Sequence, residues 1–309
     1  MSIATLFNAM PGALAQGLVW AIMGIGVYIT FRILDVADLT VDGTMSLGGA
    51  VCIMCLLSGM NVWVSMILAF AAGLLAGFVT GLFHTFMGIP VILAGILTQL
   101  SLYSVNLKIM GKANQAINVD KFDLLVSLRY VKNVPVWQNT ILIVAVLVVL
   151  LVAALYWFFG TELGCSIRAT GCNGNMSRAQ GINTSFTTVL GLMLSNGLVA
   201  FSGALLAQYQ GFADVQMGRG AIVYGLAAVV IGEAIFGKVF RNFALKLISV
   251  AAGSIVYYVV LQICIWFRID TDLLKMLSAV VVAIFLAIPY WKAKYFTRVS
   301  VKKGEHADA

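Results

Sequence analysis

The segment DLTVDGTMSLGGA, residues 38–50, places two aspartates directly before a short apolar run rich in small residues. Acidic side chains at membrane depth cost about 2.5–3.5 kcal/mol each on insertion scales, so they usually face protein or water. A short apolar segment that follows Gly and Asp residues is typical of discontinuous helices that line a transport path. The segment therefore predicts a broken helix, with Asp38 and Asp42 as candidates for the lining of that path.

The same two aspartates have a second interpretation as caps. Asp42 stands where its carboxylate would cap a helix that starts near Thr44, and Asp38 would cap a short turn. Capping is the favoured interpretation for Asp42, and the two roles are compatible with each other.

A weaker copy of the pattern lies in the second half of the chain. The tetrapeptide VADL at 36–39 resembles FADV at 212–215, and glycines and a short small-residue-rich segment follow each copy. Five predicted crossings separate the copies, and an odd number gives them opposite orientations. Inverted repeats of this kind place the substrate path at the interface between the halves. Asp214 is therefore a third acidic candidate for the path.

Two uncharged residues extend the set of path candidates. Asn196 and Gln208 are polar side chains in an otherwise apolar segment, where they would line the path or its outer mouth. For Asn196, a hydrogen bond that joins two helices is an equally consistent role.

Apolar runs long enough to cross a membrane occur along the whole chain. A span needs about 20 mostly apolar residues, and this rule predicts an all-α polytopic membrane protein with about nine spans, in a range of eight to ten. The short segments 44–60 and 221–236 correspond to two broken helices that line the path. The nine segments lie at 13–31, 44–60, 62–84, 89–110, 138–159, 185–208, 221–236, 244–266 and 273–291.

The spans are expected to form a single permease-like domain, residues 1–309, built from two repeats. The first repeat covers about 13–110 and the second about 185–291. A connecting span with a polar loop lies between them at about 138–184, and a polar tail follows at 292–309.

The composition excludes a soluble protein. Of 309 residues, 61% are hydrophobic and 10% are charged, against about 25% charged in soluble domains. The basic residues behind the net charge of +7 are dispersed, which argues against a nucleic-acid partner. The sequence contains no P-loop, no metal-ligand cluster and no set of catalytic residues. We therefore expect a non-enzymatic protein in a lipid membrane, without a bound metal or cofactor.

Basic residues predict the orientation of the chain. The tail carries five Lys and Arg residues directly after the last predicted span, and positive charge marks the cytoplasmic side. Counting spans backwards places the loops 160–184 and 236–243 in the cytoplasm and the loop 111–137 outside. That outer loop is itself basic, which conflicts with the rule. Its apolar stretch 122–128 predicts an interfacial helix that docks a partner or lies on lipid headgroups.

Two further features concern packing. Gly73, Gly77 and Gly81 recur at a spacing of four, which puts three small residues on one helix face and predicts close packing on a neighbouring helix. Glu233 lies near Lys238 in sequence, and the pair predicts a structural salt bridge at the cytoplasmic boundary rather than proton coupling.

The loop TELGCSIRATGCNGNMSRAQGIN, residues 161–183, is too polar to span a membrane and too patterned for a plain linker. It predicts two short helices broken at 171–174, whose small residues would allow close docking on another protein, with two arginines as polar anchors. The alternative is a loop that only fixes the topology by its positive charge. The candidate coupling residues are Gly164, Arg168, Ala169, Thr170, Gly171, Arg178, Ala179 and Gly181.

This loop resembles the cytoplasmic coupling loop of ABC-importer permeases of the branched-chain amino acid and ribose type. Two further stretches resemble motifs of that family and occur in the same order: the broken segment 38–50 and the run Ala228-Val229-Val230-Ile231-Gly232 before Gly237. Residues 31–43 are similar to the branch that works with tryptophan/tyrosine-type binding proteins. The matching loop residues are Thr161, Leu163, Gly164, Arg168, Ala169, Ala179, Gly181, Ile182 and Asn183.

The resemblance implies a permease of the bacterial plasma membrane that pairs with a second copy of itself. It also implies two copies of a cytoplasmic ABC ATPase, which would bind ATP and Mg, and an extracytoplasmic solute-binding protein. The expected substrate is a small solute, with an aromatic amino acid favoured over a sugar, a nucleoside or a branched-chain amino acid. An ion-coupled secondary transporter that uses Asp38, Asp42 or Glu233 is the rival function, and an export permease or a membrane-embedded enzyme are weaker alternatives.

Overall fold

The computed structural model describes residues 3–119, 121–122, 124–131, 139–237, 240 and 242–267, with isolated residues between 276 and 291. This part of the chain forms a helical bundle with one small two-stranded sheet. The helices are α1 (Ile3–Tyr28), α2 (Val41–Leu57), α3 (Val62–Thr85), α4 (Val91–Met110), α5 (Thr140–Phe159), α6 (Glu162–Cys172), α7 (Gly174–Ala179), α8 (Thr184–Gln210), α9 (Ala221–Phe236) and α10 (Phe243–Trp266). A π-helical turn, Ile29–Ile33, extends α1, a 3₁₀ turn covers Leu128–Val131, and the strands are β1 (Asn114–Ala116) and β2 (Phe212–Asp214).

Six of these helices are long and apolar enough to cross a membrane, and α2 and α9 are apolar but shorter. The prediction of a helical polytopic membrane protein with two short helices is confirmed. Strands β1 and β2 depart from the all-α expectation and pair antiparallel, with Gln115 opposite Ala213. The ninth predicted segment, 273–291, and the tail 292–309 lie almost entirely outside the described residues.

Two halves of the bundle repeat the same order of elements in opposite directions. Helices α1 and α8 are antiparallel, because Ser195 Oγ donates to the carbonyl oxygen of Gly26 at 2.7 Å and Ser202 Oγ to that of Val19 at 2.8 Å. Each long helix leads through an irregular segment into a short helix and then a long one. Helix α3 lies antiparallel along α8, and α10 lies antiparallel along α1. The halves are therefore inverted repeats, as the sequence predicts.

The sequence similarity between the halves has a local structural basis. Asp38 Oδ1 accepts a hydrogen bond from the backbone N–H of Thr40 at 2.9 Å. Asp214 Oδ1 accepts one from the N–H of Gln216 at 2.7 Å. Both aspartates thus form the same turn, in which a carboxylate binds the backbone two residues further on.

Helices α2 and α9 each extend over only part of the length of the bundle. Helix α2 starts beside the middle of α8, where Thr44 Oγ1 donates to Asn196 Oδ1 at 2.8 Å, and runs parallel to α8. Helix α9 starts beside Asp42 and ends beside Arg32. The two helices therefore extend from a common point in opposite directions. We call the end of the bundle that carries α6 and α7 the α6–α7 face, and the opposite end the β1–β2 face.

Helices α3 and α8 approach closely along the predicted glycine stripe. A Cβ atom at Gly73 would meet the backbone of Asn196, and one at Gly77 would meet that of Leu192. At Gly81 the nearest neighbour is Val189. The structure thus places all three glycines against α8, where the absence of side chains permits the contact.

Replacing Gly77 with alanine should lower the stability of the bundle by about 1–3 kcal/mol, because the added methyl group must displace α8 backbone. Gly12→Ala is the matched control, since a Cβ there has only the Tyr209 hydroxyl near it, at an ordinary 3.8 Å. Thermal unfolding of the purified variants measures the difference. Equal midpoints for the two variants would contradict this account of the interface.

The segment between α4 and α5 packs into the bundle at the β1–β2 face. Leu124 and Val126 are buried, and the backbone N–H of Leu125 donates to Gln208 Oε1 at 3.1 Å. The described part of 111–131 contains β1 and the 3₁₀ turn, and no α-helix. The predicted interfacial helix at 122–128 is therefore wrong, because its apolar residues are used within the chain.

Candidate functional site

The N-termini of α2 and α9 meet inside the bundle, and Asp42 joins them. The Asp42 carboxylate accepts hydrogen bonds from the N–H groups of Gly220 at 2.9 Å and Ile222 at 3.0 Å. Gly220 precedes α9 in a left-handed conformation, φ 87°, and provides no side-chain cap of its own. Asp42 therefore supplies the N-terminal cap of α9 from the other repeat.

This arrangement corrects the predicted role of Asp42. Helix α2 begins at Val41, so Asp42 lies in its first turn rather than ahead of it. Capping is the right chemistry, but the helix that is capped is α9, 178 residues further along the chain. We call this contact between Asp42 and the start of α9 the helix junction.

A cavity of about 210 Å³ opens beside the helix junction. Helix α2, the C-terminal half of α4 and the turn before α9 form its walls. The residues that line this central cavity are Asp42, Gly43, Gln99, Leu100, Tyr103, Asn106, Val215, Gln216 and Arg219. Of the five predicted path residues, Asp42 is the one that lines it.

Asp38 and Asn196 form a buried network next to the junction. Asn196 Nδ2 donates to Asp38 Oδ2 at 2.6 Å, while Asn196 Oδ1 accepts from Thr44. The hydroxyls of Thr40, Thr80 and Thr98 form a chain of contacts at 2.8 and 2.9 Å, which ties the broken segment to α3 and α4. For Asn196 this placement favours the alternative of joining helices.

The other two predicted path residues lie at the β1–β2 face. Gln208 is fully buried; its amide binds Leu125 and donates to Cys52 Sγ at 3.3 Å. Asp214 ends β2, where Asn114 Nδ2 is 3.4 Å from its Oδ2. The structure therefore does not bring Gln208 or Asp214 to the central cavity.

Residues 161–183 fold as the two predicted short helices, and side chains cap each start. Thr161 Oγ1 accepts from Gly164 N at 3.4 Å at the start of α6, and Asn173 Oδ1 accepts from Met176 N at 3.0 Å at the start of α7. Asn183 Oδ1 caps α8 in the same way. The break falls at Asn173, within the predicted interval.

The small residues of α6 face this chain rather than solvent, which corrects one prediction. A Cβ at Gly171 would meet the carbonyl oxygen of Ile33, and one at Gly164 would meet the backbone at the end of α5. Their lack of a side chain therefore serves contacts within the chain. Gly171 reaches the start of the irregular segment that leads to Asp38.

The other candidate coupling residues differ in how they contact the rest of the bundle. Arg168 lies over the Phe243 ring at 5.5 Å from its centroid, and Arg178 Nε donates to Thr184 Oγ1 at 2.7 Å. Thr170 Oγ1 contacts Thr187 Oγ1 at 2.8 Å, and Ala169 is half-buried. Ala179 and Gly181 are exposed, and Gly181 adopts φ 84°, which favours glycine.

Glu233 forms a salt bridge with Arg32, a partner that the sequence did not predict. Arg32 Nε lies 2.8 Å from Glu233 Oε1, which ties the end of α9 to the π-helical turn after α1. Lys238 lies outside the described residues. The predicted pair of Glu233 with Lys238 therefore stays a prediction, and the pair with Arg32 is one that the fold adds.

Comparison with known proteins places this architecture in a family. The sequence profile described as the permease component of the branched-chain amino acid transport system matches residues 10–294. The chain belongs to this permease family. Because family members are permease subunits of ABC transporters, the permease is not itself an enzyme. The family resemblance of the sequence is thereby confirmed.

Curated relatives of the permease include transport proteins for several kinds of solute. A tyrosine transport system permease protein of Clostridioides difficile is 36% identical over 91% of this chain and 91% of its own length. A fructose import permease protein of Bifidobacterium longum is 27% identical over 80% of this chain and 68% of its own. An autoinducer 2 import system permease protein of Yersinia pestis is 28% identical over 71% and 59%.

A solved structure shares the fold of the permease. PsaBC from Streptococcus pneumoniae in complex with Fab matches with a TM-score of 0.53 and 16% sequence identity. The match covers 95% of this chain and 100% of the other. At this identity the likeness shows the fold alone.

Sequence reasoning missed most of the central cavity of the permease. Gln99, Tyr103 and Asn106 follow a spacing of four and then three, which puts three polar groups on one face of α4. That spacing was a usable signal. Arg219 had no such signal, because only the fold brings the turn before α9 against α4.

Proposed function

We propose that the chain is the membrane-spanning subunit of an ATP-driven importer for a small solute, an amino acid, with an aromatic side chain favoured. The contact of α6 with Ile33 carries this proposal, because it links a helix on the surface of the bundle to the broken segment. The tyrosine transport relative supports the choice of substrate class.

The α6–α7 face is the cytoplasmic side in this proposal, and the β1–β2 face is the outer side. The basic tail after the last predicted span supports this orientation and a cytoplasmic C-terminus. The membrane is then the bacterial plasma membrane.

The α6–α7 face offers a surface for an ATPase subunit. Leu163, Met176 and Phe186 are exposed there with 48%, 57% and 53% of their surface, beside the basic Arg178. Two ATPase copies would serve a pair of permease copies and would bind the ATP and Mg, while this chain binds no cofactor. A solute-binding protein would dock on the β1–β2 face.

ATP binding would close the two ATPase subunits and move α6 and α7 as a unit. Gly171 would pass this movement to Ile33 and Leu34, and the chain from there leads directly to Asp38 and the helix junction. Rigid-body movement of one repeat against the other is a usual form of alternating access. The central cavity would then open to each side in turn.

The rival function, an ion-coupled transporter, needs acidic groups that are available to bind ions. Asp42 is engaged by the backbone of α9, Asp38 by Asn196 and Thr40, and Glu233 by Arg32. These contacts support the ATP-driven proposal.

Co-purification of the permease with an ATPase and a binding protein, followed by identification of the bound ligand, tests the partners and the substrate.

Arg168→Glu should abolish the stimulation of ATP hydrolysis by loaded binding protein, a loss of about tenfold or more, while the protein stays folded. A carboxylate over the Phe243 ring face loses the cation–π attraction that positions α6. Steady-state ATP hydrolysis in proteoliposomes measures the effect. Arg168→Lys, which keeps a cation for the Phe243 ring face, is the control and should keep the stimulation. Normal stimulation in Arg168→Glu would rule out this role for α6.

A further inference from the structure

The central cavity contains a buried acceptor that has no donor. Asn106 is fully buried, and its Oδ1 has no hydrogen-bond partner among the described residues. Its Nδ2 donates to the carbonyl oxygen of Gly43 at 3.3 Å. Because a carbonyl oxygen only accepts, this contact fixes the amide orientation and leaves Oδ1 as the free group. A buried polar atom without a partner is costly, so this acceptor is suited to a ligand donor.

The same cavity contains a cation whose hydrogen-bond donors have no partner among the described residues. Arg219 is exposed, and its guanidinium makes no hydrogen bond or salt bridge with any described residue. The Asp42 carboxylate interacts with Arg219 through space, while its own hydrogen bonds come from the N–H groups of Gly220 and Ile222. The guanidinium is therefore available to a ligand carboxylate, which it can bind with two parallel hydrogen bonds.

The wall between these two groups adds aromatic and polar surface. Tyr103, exposed over 47% of its surface, adds an aromatic ring to the wall, and Gln99 adds an amide.

We propose that the central cavity binds the zwitterion of an α-amino acid, with its carboxylate on Arg219 and its ammonium on Asn106 Oδ1. A sugar would satisfy the Asn106 acceptor but would offer no carboxylate to the guanidinium donors. The Tyr103 ring provides an apolar surface for an aromatic side chain of the ligand. This inference rests on the proposed function and gives the permease its own contribution to substrate selectivity, in addition to that of the binding protein.

The direct test is equilibrium binding of radiolabelled L-tyrosine to the purified permease, with two analogues as competitors. Tyramine lacks the carboxylate, and 3-(4-hydroxyphenyl)propionate lacks the ammonium. We expect L-tyrosine to bind about tenfold or more tightly than either analogue, because each analogue leaves one protein group unpaired. No binding of L-tyrosine, or equal binding of all three compounds, overturns the proposal.

Single substitutions test which residue binds the carboxylate of the ligand and which binds its ammonium group. In Arg219→Gln, L-tyrosine and tyramine should bind with equal affinity, since the partner of the carboxylate is gone. In Asn106→Leu, L-tyrosine and 3-(4-hydroxyphenyl)propionate should bind equally, while Asn106→Asp keeps the acceptor and should keep the preference. A general structural defect would weaken all ligands in parallel and would contradict the assignment. Lys108→Gln, which removes an exposed charge of α4 outside the cavity, is the control and should change neither preference.

The binding site and ATP-driven import can each be correct while the other is wrong. If L-tyrosine binds with these preferences but no ATP-driven uptake occurs, the binding site is correct and the ATP-driven importer is wrong. If ATP-driven uptake of L-tyrosine occurs and Arg219→Gln retains the preference over tyramine, the importer is correct and the site is wrong.

Discussion

Replacing Asp42 with leucine is expected to reduce substrate uptake by about a hundredfold and to destabilise the helix junction. Leucine has a similar size but removes both acceptors, which leaves the N–H groups of Gly220 and Ile222 unpaired. Each unpaired buried donor costs about 1–3 kcal/mol. A total near 3 kcal/mol corresponds to about a hundredfold in an equilibrium between intact and opened junctions, at about 1.4 kcal/mol per tenfold.

Uptake into proteoliposomes and thermal unfolding of the same preparations measure the two effects of this substitution. Asp42→Asn is the matched variant, because its side-chain oxygen still caps α9 and roughly one hydrogen bond is lost, at about 1 kcal/mol. We expect its uptake to lie between those of the wild type and Asp42→Leu. Wild-type uptake by Asp42→Leu would show that the junction has no part in transport.

Replacing Gly171 with alanine is expected to separate ATP hydrolysis from uptake. The added Cβ would overlap the carbonyl oxygen of Ile33 and lie against Leu34, so α6 or the irregular segment must shift. Alanine otherwise favours an interior helical position over glycine by about 1 kcal/mol. A loss of function therefore cannot come from a weaker α6, and we expect uptake per ATP hydrolysed to fall by about tenfold or more.

Gly174→Ala in α7 is the control for this second prediction, because a Cβ there has no atom within 4 Å. Parallel measurement of uptake and ATP hydrolysis in one set of liposomes gives the coupling ratio. An unchanged ratio in Gly171→Ala would mean that movement passes from α6 to the spans by another contact.

The helical architecture was predictable because each span is a local property. The boundaries of α3 and α9 follow from hydrophobic runs, and the two broken helices follow from Asp and Gly residues placed directly before short runs. The small residues of the loop 161–183 also located the break between α6 and α7. The periodicity of apolar residues and the preference of residues for turns depend on neighbours a few positions apart. Both can therefore be recognised in a single sequence.

The partners of polar groups were not predictable, because the fold decides them. Asp42 finds its donors on a helix from the other repeat, and Glu233 pairs with Arg32, which lies 201 residues away in sequence. Gly171 resembled a docking residue in sequence, yet it packs on Ile33. In each case the deciding contact joins residues far apart in sequence, which local patterns do not record.

Uptake of radiolabelled L-tyrosine into proteoliposomes that contain the permease, its ATPase and its binding protein tests ATP-driven import most directly. The predicted result is accumulation only when ATP is supplied on the side of the α6–α7 face and loaded binding protein on the side of the β1–β2 face. A sodium or proton gradient alone should produce no accumulation. Accumulation driven by such a gradient without ATP would contradict the proposed function.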